Sequence, residues 1–246
     1  VYIRRIVPIT PWLLQLIKWL RNENMYVAYE YPTYPWKKEM MLTHKKLFYY
    51  IDCVLFNKLY SSINQLVCFG EYDGDNSKVV ETMNGVDVNN FNIHKKERNK
   101  DQITLIAVAH IMPQHGYDKL VKGLEAYYYY NDSKIKRNIY INIVGPQTIG
   151  INLESLAKSC HVDQYIKFWG FQAGAQLDRI FDESDIGVDC LALNRIETTN
   201  VVGSLKSREY LARGIAFIFA GNLDFIKKGN NKPRFVLEVN ENKDYV

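Results

Sequence analysis

Apolar positions along the chain keep two rhythms. Trp12, Leu13, Leu16, Ile17 and Leu20 recur at helical spacing behind Thr10 and Pro11, which predicts a helix over Pro11–Arg21 capped by Thr10. Met25–Tyr29 reads as a short buried strand. Glu30–Trp36 then reads as a loop at its carboxyl end, because Pro32 and Pro35 cannot donate to a ladder. An apolar-periodic stretch, Leu42–Tyr60, precedes strands at Gln65–Phe69 and Val79–Met83. After a charged linker, His94–Asp101, strands at Ile103–Ala109, Ile139–Val144, Ile166–Trp169, Ile186–Asp189 and Ile215–Ala220 alternate with helices. Those helices are Tyr117–Tyr130, Leu153–Cys160, Gln176–Asp182 and Leu205–Arg213. The strands are continuous apolar runs, which predicts parallel sheet covered on both faces. Tyr127–Tyr130, four tyrosines at a helix end, read as packing.

With 47% hydrophobic and 24% charged residues, the 246-residue chain can bury a sizeable core, so a disordered or collagen-like class is excluded. The longest apolar stretches, Val7–Leu20 and Gly214–Gly221, fall short of the ~20 residues that span a bilayer. A net charge of +4 gives no nucleic-acid footprint. The chain opens on Val1 within strand-like sequence and stops at Val246 after a charged stretch, so it reads as a piece of a longer protein. Charge is similar in both halves, and the division is placed at the linker, giving residues 1–88 and 89–246.

Cys53, Cys68, Cys160 and Cys190 stand far apart, which fits buried, reduced cysteines of a cytosolic protein and neither a zinc site nor a disulfide scaffold. Asp73-Gly74-Asp75 has the form of a divalent-cation ligand pair, but its Gly/Asp/Asn surroundings are turn chemistry. No metal site is expected.

In parallel α/β sheets ligands bind outside the carboxyl ends of the strands. Behind Ile103–Ala109 stand His110, His115 and Gly116, followed by a helix start whose N–H groups suit an anion. The competing reading makes both histidines polar loop residues. Gly145 ends the next strand. Behind Ile186–Asp189 comes Ser204–Gly214, with Ser204 as N-cap, Leu205 presenting a backbone donor, and Gly214 at C′. Lys206 in the first turn opposes the helix dipole, a misfit that an external anion would relieve. Glu209 lies three residues on; alternatively it makes only an i, i+4 pair with Arg213.

Asn84-Gly85-Val86-Asp87 within Val79–Phe91, the segment Leu105–Gly123, then Ile141–Gly145, Phe168–Gly170 and Ser184–Val188 follow in the order of the retaining glycosyltransferases of family 4 (glycosyl transferases group 1). Ser204–Gly214, with Leu-Lys-x-x-Glu-Tyr-Leu-Ala-x-Gly, resembles that family's donor-binding helix. The loop from Glu30 to Pro35 and Gly116-Tyr117-Asp118 resemble its bacterial surface-polysaccharide branch. The resemblance implies an α/β GT-B architecture: two Rossmann-like parallel-sheet domains facing across a cleft, the first incomplete here. Residues 1–88 would be the C-terminal part of the acceptor-side domain, and 89–246 the nucleotide-sugar domain, truncated at its end.

It further implies transfer, with retention, from a UDP- or GDP-sugar to a glycan or lipid-linked acceptor. The nucleotide-sugar is a co-substrate; no cofactor and no metal are implied. Lys206 would face the diphosphate with His110, His115, Gly116, Gly145, Ser204 and Leu205 around it, and Glu209 would hold the ribose. His110 and His115 stand where the family places Arg and Lys. In the family's Glu-x7-Glu pattern Glu209 is the second member, the first position holds Val201, and Glu197 is four positions out of register. Cytoplasmic location and peripheral contact with the inner membrane face are also implied. A catalytically degenerate nucleotide- or glycan-binding partner, and an epimerase of similar architecture, are the alternatives.

Overall fold

The computed structural model describes residues 1–32, 34, 36–42, 46–69, 72, 74, 76–93, 99, 101–130, 137–148, 150–196, 203–226 and 233–246. They form two compact units, one of residues 1–84 with Gly203, the other of residues 85–196 and 204–246.

The first unit is a parallel sheet of four strands, β1 (Tyr2–Arg4), β2 (Ala28–Tyr31), β3 (Gln65–Phe69) and β4 (Val79–Thr82), paired in chain order. Helix α1 (Pro11–Asn22) starts as expected: the Thr10 hydroxyl accepts from the Leu13 N–H at 3.1 Å, and Leu13, Ile17 and Leu20 are buried. The apolar stretch read as one helix is two, α2 (Lys37–Leu42) and α3 (Lys46–Ser62). Strand β2 begins later than expected because Met25 and Tyr26 are exposed while Val27, Tyr29 and Tyr31 are buried. Glu30, assigned to a loop from sequence, lies in β2. On α3, Asp52 is buried, accepting from Arg5 at 3.0 Å and from the Ile9 N–H at 2.7 Å.

The second unit contains β5 (Gln102–Val108), α4 (Tyr117–Glu125), β6 (Asn138–Val144), α5 (Leu153–Ser159), β7 (Ile166–Phe168), α6 (Gly174–Asp182), β8 (Ile186–Val188), α7 (Leu205–Ala212), β9 (Ala216–Phe219) and β10 (Val236–Glu238). All six strands are parallel, in the order β10-β9-β8-β5-β6-β7. This is the doubly wound order, with its reversal between β5 and β8. The apolar runs have the expected cause. Leu105 and Ala107 pack with α4 and α5 on one face, while Ile106 packs with Ile180, Phe181 and Tyr210 of α6 and α7 on the other.

Helix α4 ends at Glu125, five residues before the expected end, and continues as a π-turn over Ala126–Tyr130. The tyrosines are used in packing: the Tyr127 and Tyr129 hydroxyls donate to the Arg137 and His161 carbonyls, and the Tyr128 ring stacks on Tyr165 at 4.0 Å. All four cysteines are unbridged, but Cys53 is exposed on α3, which corrects the expectation that all are buried. Among the described residues no helix is long and apolar enough to cross a membrane, and no group of three or more His, Cys, Asp or Glu side chains is placed to hold a metal ion. Asp73 and Asp75 lie outside the described residues, as does most of His94–Asp101.

Candidate functional site

The order reversal between β5 and β8 puts the loops behind those strands side by side, and the expected residues can be located from there. His115 closes a short turn, Pro113–His115, in which its Nδ1 accepts the Met112 N–H at 2.9 Å. Nε2 therefore carries the proton of the neutral ring. Burial, then the Lys206 ammonium, pull its pKa down to about 3, so at neutral pH His115 is a hydrogen-bond donor without charge. His110 is exposed in the same loop.

Gly116 sits at φ +65°, and a Cβ there would come within 2.9 Å of the Ala192 side chain. The expected close approach is thus to protein: the Leu191 and Ala192 N–H groups donate to the His115 and Gln114 carbonyls at 3.0 and 3.2 Å. Gly145, at φ +119°, has a similar part, since a Cβ would overlap the Ala109 carbonyl while its N–H donates to Gly170 at 2.7 Å.

Asp189, at the carboxyl end of β8, organises the centre. It is 1% exposed, and its Oδ1 accepts from the Cys190 N–H at 2.8 Å and the Ser204 hydroxyl at 2.9 Å, and pairs with Lys206 Nζ at 3.2 Å. Its Oδ2 is buried with no hydrogen-bond partner among the described residues. Ser204 does occupy the N-cap position of α7, but its side chain serves Asp189 and does not cap, which corrects the sequence expectation. Leu205, the first helical residue, is exposed. The charge misfit of Lys206 is likewise relieved by Asp189, an internal anion.

Burial works against the Lys206 ammonium, but the Cys190 sulfur and the Asp189 carboxylate outweigh it and raise its pKa above the usual lysine value. Burial pushes the Cys190 thiol up to about 11, so the sulfur that accepts from the Lys206 ammonium at 3.3 Å belongs to a neutral thiol. The Lys206 side chain stays 18% exposed. Its third donor, the uncapped N–H groups of α7 and the Nε2–H of His115 together favour an anion.

Glu209 is not drawn into this group. It accepts from Arg213 Nε and NH2 at 3.0 and 2.9 Å, and Arg213 also holds Asp178 and lies over the Phe181 ring. The i, i+4 pair is present, yet not as a solvated stitch, since the Arg213 side chain is 6% exposed. Val201 and Glu197 lie outside the described residues. Sequence reasoning missed Asp189 as a site residue; the available signal was an acid ending an apolar strand at the carboxyl edge. Lys119 was missed too: it is buried in α4 and donates to the Leu191 and Glu241 carbonyls, fixing the loop behind β8.

No family model and no curated protein matches the chain. Solved structures do. WaaG, a glycosyltransferase involved in lipopolysaccharide biosynthesis, matches with a TM-score of 0.58 at 11% identity, over 85% of this chain and 63% of that one. The chain has the GT-B fold. A sucrose-phosphate synthase from Thermosynechococcus elongatus matches at 0.57 and 10% identity, over 99% of this chain and 61% of that one. A trehalose-6-phosphate synthase matches at 0.54 and 13%, over 90% and 58%. The chain thus spans roughly six-tenths of the length of these GT-B structures.

Proposed function

We propose that this chain is part of a retaining glycosyltransferase of family 4 that moves a sugar from a UDP- or GDP-sugar to a glycan or lipid-linked acceptor in bacterial surface-polysaccharide synthesis. The observation that carries the reading is the cation-bearing corner at the β5–β8 reversal of a GT-B chain, with Lys206 beside the α7 N-terminus. Breaking the bond between an anomeric carbon and a diphosphate develops charge on the leaving phosphate. Lys206, the His115 Nε2–H and the α7 amides are suited to receive it, and removing one such donor typically lowers turnover by about 10²–10³-fold. Ser204 and Asp189 would position Lys206, Leu205 would offer a backbone N–H, His110 would line the entrance, and Glu209 would take the ribose hydroxyls. Gly116 and Gly145 would hold the loops in place. No metal is needed in this scheme.

Residues 1–88 would then belong to the acceptor-side domain and 89–246 to the nucleotide-sugar domain. A cytoplasmic enzyme touching the inner membrane face is supported by pI ≈ 8.7 and by exposed Trp12 and Trp19 beside Lys18 and Arg21 on α1. The test is sugar transfer by the full-length protein, with the anomeric configuration of the product read by NMR. Lys206→Ala and Glu209→Ala are expected to lower turnover, and unchanged rates in both contradict the assignment. A second reading, a nucleotide or glycan binder without transfer, is favoured by the internal pairing of both residues, Lys206 with Asp189 and Glu209 with Arg213. Donor binding without hydrolysis or transfer in the full-length protein would select it.

A further inference from the structure

The two faces of β6 differ. Ile139, Ile141 and Ile143 pack into the core under α4 and α5, whereas Asn138, Tyr140 and Asn142 alternate with them on the other face. Val144 on that second face belongs to the core under α6 and α7, whereas the three positions before it do not join that core. Beside Tyr140 and Asn142 the register places Thr104 of β5 and Lys167 of β7. There, toward the amino ends of the strands and opposite in the sheet to the loops behind β5 and β8, a cavity of about 500 Å³ opens. Its volume is within the range of roughly 300–1,000 Å³ usual for small-ligand sites.

Its lining is aromatic and amide-rich: Tyr140, Tyr165, Gln102, Gln164 and Asn142, with Lys167 and Glu183 as one charge of each sign. The Tyr140 and Tyr165 rings meet at 6.0 Å and 55°, forming a corner, and Tyr165 is backed by its stack on Tyr128. Asn142 is already satisfied by Ser184 and the Trp169 indole N–H, so it gives the cavity a fixed floor. Among the described residues the Tyr140 and Tyr165 hydroxyls and the Gln102 and Gln164 side-chain carbonyl oxygens bond no protein group and remain for a ligand, the two amide nitrogens donating to Thr104 and to the His161 carbonyl. Lys167, the cation of the lining, lies 3.5 Å over the Trp169 ring, and the lining also carries the Glu183 carboxylate, a pair of charges that does not suit a phosphate.

We infer that this cavity is a second ligand site, one that binds a neutral saccharide away from the nucleotide-sugar corner. Rigid rings meet the apolar C–H face of a pyranose, while amides and phenols meet its hydroxyl rim. The inference does not depend on the donor-site reading, because a protein with no nucleotide affinity could still carry the site.

The test is saturation-transfer NMR and calorimetry on this chain with maltohexaose, cellohexaose, chitohexaose and a galactan hexaose. At least one is expected to bind, with Tyr140→Ala or Gln164→Ala weakening it about fivefold. Lys206→Ala and saturating UDP are expected to leave that binding unchanged. Gln164→Ala removes no core contact and decides the matter if Tyr140→Ala melts early. Absence of binding by all four glycans overturns the inference, as does binding that survives both cavity variants or is lost with Lys206→Ala.

Discussion

At the scale of single residues the account turns on Asp189, which holds Lys206, Ser204 and the Cys190 N–H on one oxygen. Asp189→Ala leaves the Lys206 ammonium uncompensated and is expected to cost about 3 kcal/mol in urea denaturation, toward the lower end for breaking buried pairs because Lys206 is partly exposed. A loss below measurement error would remove Asp189 from the centre of the site. His115 makes a pH prediction. Its folded pKa is pulled down to about 3, whereas an unfolded histidine takes its proton near ~6.5, so between those values the unfolded chain binds more protons. Stability therefore falls as pH drops through that window, with a limiting slope of about 1.4 kcal/mol per pH unit for one such group. Melting curves of wild type and His115→Gln should diverge between about pH 7 and about pH 5, the variant losing less; parallel losses would contradict this. Lys206, Ser204 and His115 were legible in sequence as residues behind strand ends, but Asp189, the partner shared by Lys206 and Ser204, was not. Fifteen positions separate Asp189 from Ser204, and only the β8–α7 crossover brings them to 2.9 Å.

At the scale of elements, glycines set how closely backbone and side chains approach. A Cβ on Gly187 in β8 would stand 2.6 Å from the Tyr210 ring, whose hydroxyl donates to the Val188 carbonyl at 3.0 Å. Gly187→Ala is expected to cost about 1–3 kcal/mol as overpacking, read from denaturant midpoints. Gly116→Ala combines that crowding with a positive φ and should loosen the loop behind β8; unchanged midpoints in both variants would contradict the close packing. Helix α7 ends in a full Schellman arrangement, Gly214 N–H to Leu211 and Ile215 N–H to Tyr210, as Gly214 announced. The helices and strands of the second unit were readable because period and burial agreed: apolar runs between helical stripes leave few alternatives. The three-residue edge strand β10 and the offset of β2 were not, since short segments carry little periodicity and their pairing partners decide them. The π-turn was hidden as well, because hydroxyl bonds to distant carbonyls, not local propensity, hold Tyr127–Tyr129.

For the whole molecule, two parallel sheets, the second in doubly wound order, provide a GT-B frame, and frames of this kind carry many chemistries, so the proposed function rests on the corner at the β5–β8 reversal. That corner carries the Lys206 ammonium, an uncharged histidine donor and a helix N-terminus, a set that favours a diphosphate without enforcing a sugar. Affinity is therefore expected to reside in the nucleotide diphosphate, with the sugar adding little. The most direct measurement is calorimetric titration of this chain with UDP, GDP and their glucose and mannose conjugates, on wild type and on Lys206→Ala. The account expects one nucleotide series to bind and Lys206→Ala to weaken it about tenfold, the loss of one charge-assisted contact. Absence of binding in both series, or equal affinity in the variant, would contradict a donor site at Lys206.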